Sequence, residues 1–263
     1  MKQKKVIPLT AWLVGTMIIL ACSLVTQATP TAIPSSTPLP PTVPPTSTPT
    51  EVPPPTSTLV PTPLEAAILY QDDFSSNTHN WDIGTDSTDT GSTETSIVDG
   101  QYVVNLTAKS EYYAHGISLP GFSGKNFIMS IDVTILDTTM KNTGDLWLSF
   151  DIRDTGTKYY DFRITDGESQ LIFAQDKKDD VILWDWIKSS ALKLDKGVTN
   201  NFNFGVSGET FTLYINDELA GSATDATHNE SGDIYFIIML SNVNDNLRLG
   251  IDNLIIRESA VSN

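Results

Sequence analysis

Phe127, Met129, Ile131, Val133 and Ile135 occupy alternate positions around Ile128, Ser130, Asp132 and Thr134. The same spacing recurs in Leu146, Leu148, Phe150 and Ile152, in Tyr160, Phe162 and Ile164, in Phe202, Phe204 and Val206, and in Phe211, Leu213 and Ile215. A period of two sends successive side chains to opposite faces of a strand, so each run predicts a strand with one buried face. Turn-forming pairs separate the runs: Asp99-Gly100, Asp166-Gly167, Ser207-Gly208 and Asn216-Asp217. Strands at such short intervals, with no long helical pattern, predict an all-β antiparallel sandwich. Ile234 to Leu240 and Leu254 to Ile256 are apolar on both parities and predict central strands. Leu247, Leu249 and Ile251 are odd-numbered, whereas Leu254 and Ile256 are even. The core-facing parity therefore slips near Asp252 and Asn253, which predicts a bulge or bend there.

The alternation is confined to one of three compositional zones. Residues 1–22 run from Lys2, Lys4 and Lys5 through an apolar stretch to Ile19-Leu20-Ala21-Cys22, the order of a secretory signal. Cys22 is the only cysteine, and its setting resembles the lipobox of bacterial lipoproteins. That resemblance implies lipidation of Cys22 after cleavage; the alternative is an uncleaved anchor helix over Val6 to Val25, about long enough to span ~30 Å of hydrocarbon. Both readings export the remainder to the cell envelope, outside the cytoplasm. Residues 23–65 form a Pro/Thr-rich linker: Ala28 to Pro63 holds 13 of the 15 prolines. Proline removes backbone donors and favours polyproline II, so this zone is expected to be a disordered stalk without a core. Residues 66–263 are the expected folded domain. From Leu64 onward there are 13 basic and 31 acidic residues, a formal charge of −18, which makes nucleic acid and anionic lipid surfaces poor partners. Contact with a membrane is expected through the lipid anchor alone.

The ordered series LYQDDFSSNTHNW, IVDGQYVVNL, KYYDFRITDGESQL, ILWDWIKSSAL, FNFGVSGETFTLYINDELAG, SGDIYFIIML and GIDNLIIRES resembles the concanavalin A-like lectin/glucanase superfamily. Laminin-G-like domains and 3-keto-disaccharide hydrolase-type domains are the most similar in style. The resemblance spans about Ile68 to Glu258 and implies a two-sheet antiparallel jelly roll, often with a face that accepts sugars. It also implies one structural calcium, at positions matching Asp73, Gly100 and Asp252; hard oxygen ligands suit that ion. The superfamily's glucanases carry a Glu-x-Asp-x-Glu or Glu-x-Asp-x-x-Glu triplet, because a retaining mechanism needs two carboxyls about 5–5.5 Å apart. No such triplet occurs here, and the three histidines, His79, His115 and His228, lack metal-ligand spacing.

The off-core parity carries the candidate ligand residues. Trp147, Asp151 and Arg153 share one parity, and Tyr159, Asp161 and Arg163 share another on the next run. Aromatic rings stack on the apolar faces of sugars, and charged groups satisfy their hydroxyls. Trp184 is added from the pair Trp184/Trp186, while Trp81 and Trp186 are assigned to packing. An ordinary solvated strand with charge pairs would show the same pattern. The favoured expectation is a non-catalytic glycan-binding domain displayed on a lipid-anchored stalk. The alternatives are an envelope structural or protein-interaction domain without a glycan ligand, and a diverged glycoside-active hydrolase.

Overall fold

The structure is a computed structural model that describes residues 66–259. The signal segment, Cys22 and the linker lie outside the described residues. Fifteen strands follow in chain order: β1 (Ile68–Asp72), β2 (Gly84–Ser87), β3 (Gly91–Val98), β4 (Gln101–Ala108), β5 (Tyr113–Gly124), β6 (Phe127–Thr138), β7 (Leu146–Asp154), β8 (Lys158–Thr165), β9 (Glu168–Gln175), β10 (Val181–Lys188), β11 (Thr199–Ser207), β12 (Thr210–Ile215), β13 (Glu218–Thr224), β14 (Gly232–Leu240) and β15 (Asn246–Glu258). They form two antiparallel sheets. The nine-stranded sheet runs β13-β12-β11-β6-β15-β4-β3-β2, with β1 also paired to β15; the six-stranded sheet runs β10-β9-β8-β7-β14-β5. No helix among the described residues is long and apolar enough to cross a membrane.

The period-two rows become the facing inner surfaces. Phe150 of β7 lies 4.5 Å, ring centroid to centroid, from Phe204 of β11, and Phe162 of β8 lies 5.1 Å from Phe204. Each of these rings is buried, and burying one such side chain contributes about 1.5–3 kcal/mol. Trp81, as expected, is core: it is buried against Phe74 and Tyr102 and donates its indole N–H to Asp72 at 2.7 Å.

Hairpin chemistry matches the turn pairs. Asn216 and Asp217 both have positive φ, 50° and 67°, as a type I′ turn requires. The parity slip in β15 is a bulge: the register with β6 shifts between Asp252 and Ile255, and Asn253 has φ 49°. The doubly apolar runs lie on interior strands, β14 between β7 and β5, and β15 beside β6.

Two expectations are corrected by bulges. Arg153 does not share the outer face with Trp147 and Asp151. The register of β7 with β14 passes from Asp151↔Tyr235 to Asp154↔Asp233, so β7 carries an extra residue, and Arg153 has φ 51°. The bulge re-aims its side chain into the interior, where it is fully buried. There it donates to the carbonyls of Lys125 (2.8 Å), His228 (3.1 Å) and Gly208 (2.7 Å). Its guanidinium also lies 5.2 Å from the Phe211 ring centroid. Trp184 is likewise inside, edge-on to Phe162 at 5.6 Å and laid over Gly221 of β13, where any Cβ would come within 2.6 Å of the indole. Neither residue is available to an external ligand.

Candidate functional site

The outer face of the six-stranded sheet is built in rows. Cross-strand pairing sets Tyr235 of β14, Asp151 of β7, Asp161 of β8 and Ile172 of β9 side by side. The next row is Ile237, Ser149, Arg163 and Gln170. Beyond it stands Trp147, paired with Met239. The outward parity of β7 and β8 follows from their inner rows, Leu148-Phe150-Ile152 and Tyr160-Phe162-Ile164, which already fill the core.

Trp147 and Trp186 meet at 5.5 Å, nearly perpendicular at 89°. Trp186 was expected in the packing and Trp184 at the site; the structure exchanges them. The register of β10 on β9 shifts between Trp184 and Ile187, so Asp185 and Trp186 together face Gln170. Asp185 accepts from Gln170 Nε2 at 3.1 Å and from the Trp186 N–H at 2.8 Å, which fixes the bulge. Two tryptophans of the same parity thus point to opposite sides of one strand. Tyr235 and Asp180 also belong to this face and were missed. Tyr235 was hidden because Ile234 to Leu240 is apolar on both parities.

The charged groups are unevenly satisfied. Arg163 donates from Nε to Asp161 at 2.6 Å and from Nη2 to Asp180 at 3.2 Å. Ser149 donates its hydroxyl to the other oxygen of Asp161. Asp161, 5% exposed, therefore has both oxygens engaged. Asp151, directly opposite and 7% exposed, has an enclosed Oδ1 with no hydrogen-bond partner among the described residues. Burial, then repulsion from Asp161 and Asp154, raises its pKa well above the carboxylate range, opposed in part by Arg163. Burial and the neighbouring carboxylates, Asp151 first, also raise the pKa of the half-buried Tyr159.

The outer face of the nine-stranded sheet differs. Asn203 donates to Asn201 (2.7 Å), Asn201 to Asp132 (2.7 Å), and Asn253 to the second oxygen of Asp132 (2.9 Å). This polar chain satisfies itself. Beside it lie the expected calcium positions. A Cβ on Gly100 would stand 3.9 Å from the Asp73 carbonyl oxygen. Asp252 has a raised pKa, from burial first and then from Asp132 and Asp73. Asp73 accepts from the Ser75 N–H at 3.0 Å, and Asp252 from the Asn253 N–H at 2.7 Å. Among the described residues, no three carboxylate, histidine or cysteine side chains gather at metal-binding distance.

No protein-family model matches the chain, and no curated protein matches it. Solved structures do. A protein of unknown function with a galectin-like fold from Bacillus subtilis is 12% identical, with a TM-score of 0.54, covering 74% of this chain and 97% of its own. The kappa-carrageenase of Pseudoalteromonas carrageenovora, in complex with an oligotetrasaccharide of kappa-carrageenan, is 9% identical with a TM-score of 0.53, over 80% of this chain and 100% of its own. A glycoside hydrolase family 16 endo-glucanase from Bacteroides ovatus is 14% identical with a TM-score of 0.52, over 72% of this chain and 100% of its own. At such identities the likeness shows the fold alone, an all-β jelly roll of two antiparallel sheets.

Proposed function

We propose that this domain is a non-catalytic carbohydrate-binding module and that its ligand lies on the outer face of the six-stranded sheet. The observation that carries the reading is the Trp147–Trp186 pair beside the Asp151, Asp161 and Arg163 cluster, on a face that the core does not need. Stacking on indole rings and hydrogen bonding to charged groups are the two contacts that hold sugars. Two structural neighbours were solved with oligosaccharide or as a glucanase, which supports a glycan as the kind of partner. A hydrolase reading has one observation in its favour, the facing carboxyls of Asp151 and Asp161. Against it, both oxygens of Asp161 are held by Arg163 and Ser149, and the unpartnered oxygen of Asp151 is enclosed, so neither carboxyl is presented to a sugar as the two-carboxyl mechanism requires. A glycan array with the full chain, Trp147→Ala and Arg163→Ala tests the reading. Retained glycans on the full chain and their loss in both variants are expected; no glycan retained at millimolar sugar overturns it.

Two further parts of the reading lie away from this face. One structural calcium would be held by backbone oxygens around Asp73 and Gly100 together with the Asp252 carboxylate, a hard-oxygen set. Added calcium is expected to raise the unfolding temperature and chelation to lower it, and an unchanged temperature removes the ion. The lipid anchor at Cys22 is expected to incorporate labelled palmitate. Equal label in a Cys22→Ser variant removes that anchor.

A further inference from the structure

We infer that the outer face of the six-stranded sheet selects a cationic glycan, one whose sugars carry a free primary ammonium, and seats that ammonium on Asp151. The inference rests on the reading of this face as a glycan site and names the class of sugar.

The charge around the site carries it. Asp151, Asp154, Asp161, Asp180 and Asp185 stand on or beside the face, and Arg163 is the cation among them, already shared between Asp161 and Asp180. Arg153, the other candidate counter-ion by sequence, is turned inside and spent on carbonyls. The β9–β10 turn adds Asp176, Lys177, Lys178 and Asp179, which bring no net positive charge.

Asp151 is the group left over. A buried carboxyl oxygen without a hydrogen-bond partner is costly, and natural structures retain one where something else completes it. A sugar hydroxyl could donate one hydrogen bond. An ammonium donates up to three and also supplies the missing charge, so it satisfies Asp151 and relieves its repulsion with Asp161. Sulfated or uronic glycans would meet the like charge of the Asp151–Asp161 row. Because Oδ1 is enclosed, a ligand reaches it only by displacing a neighbour. Tyr159, half-buried and two residues from Asp161 on the outward parity of β8, is the candidate ring. The other groups that bear on Asp151 are Asp154 on β7, Arg163 on β8 and Tyr235 on β14.

The test is calorimetric titration of the full chain with four oligosaccharides of equal length: a glucosamine oligomer, its N-acetylated counterpart, a neutral cello-oligosaccharide and an oligogalacturonate. The glucosamine oligomer is expected to bind about tenfold or more tighter than the N-acetylated and neutral ones, with the galacturonate weakest. Asp151→Asn is expected to erase that preference, so that the glucosamine oligomer binds no tighter than its N-acetylated counterpart. Asp89→Asn, which removes an exposed charge in the β2–β3 turn, is expected to change nothing. Neutral glycans bound as tightly as the amine overturn the inference and leave the glycan reading standing. Equal losses in Asp89→Asn and Asp151→Asn also overturn it, because bulk acidity then explains the preference. Binding of none of the four removes the glycan reading and the inference with it.

Discussion

Two charged side chains on β7, two residues apart, meet opposite fates. Arg153 is carried inward by a bulge and finds carbonyl acceptors and two aromatic rings. Asp151 stays outward, is covered by its neighbours and has an oxygen that finds no partner. Its pKa in the folded chain lies above its unfolded value of about 3.9. Between those two values the folded form binds more protons than the unfolded form, so stability falls as pH rises through that window. Asp151→Asn removes the ionisable group and keeps the shape. The variant is therefore expected to be more stable than the parent at neutral pH, because it carries no proton-linked cost of keeping a buried carboxyl neutral or of burying it charged. The gain should vanish below about pH 4, where both states of the parent are protonated. Urea unfolding of both chains at pH 7 and pH 3.5 measures this. A variant less stable than the parent at pH 7 would show that Asp151 is a structural group after all, and the ligand assignment would lose its basis.

At the scale of elements, what the sequence disclosed depended on how many residues followed each irregularity. The slip in β15 was legible because three odd apolar residues precede it and two even ones follow, so the parity change was written on both sides. The bulge in β7 falls after Ile152, one residue before the strand ends at Asp154. No apolar row continues past it to reveal the slip, and Arg153 therefore read as outward. In β10 apolar side chains lie on both parities, with Ile182, Leu183, Trp184, Trp186 and Ile187 in one strand. Alternation carries no information there, and the two-against-one pairing of Asp185 and Trp186 with Gln170 becomes visible only in the sheet. The rows of β7 and β8 are clear, so parity sets Trp147 and Asp151 on the outward side of one strand and Tyr159, Asp161 and Arg163 on that of the next, and the pairing of the two strands makes these one face. Adjacency of β10 and β14 to that face is a matter of topology, which is why Trp186, Asp180 and Tyr235 were not.

Across the whole molecule, the two faces of the six-stranded sheet make different contacts. The inner face meets the nine-stranded sheet through Phe150, Phe162, Phe202 and Phe204, all buried. The outer face rests on the same backbone but contributes no ring to that contact. Trp147→Ala should therefore cost about 1 kcal/mol or less, the worth of one aromatic pair at a half-exposed site. Phe204→Ala should cost about 3–5 kcal/mol, because it removes a fully buried ring between two layers that cannot close over the gap. The binding readout should reverse this order. Under conditions where both variants remain folded, Phe204→Ala should keep the glycan and Trp147→Ala should lose it. Unfolding midpoints and glycan titrations on the two variants decide the matter. If Trp147→Ala unfolded the chain as severely as Phe204→Ala, the outer face would be part of the core's cooperative unit. Its indoles would then belong to the fold, and no side chain on that face could be assigned to a ligand on the ground that the core does not need it.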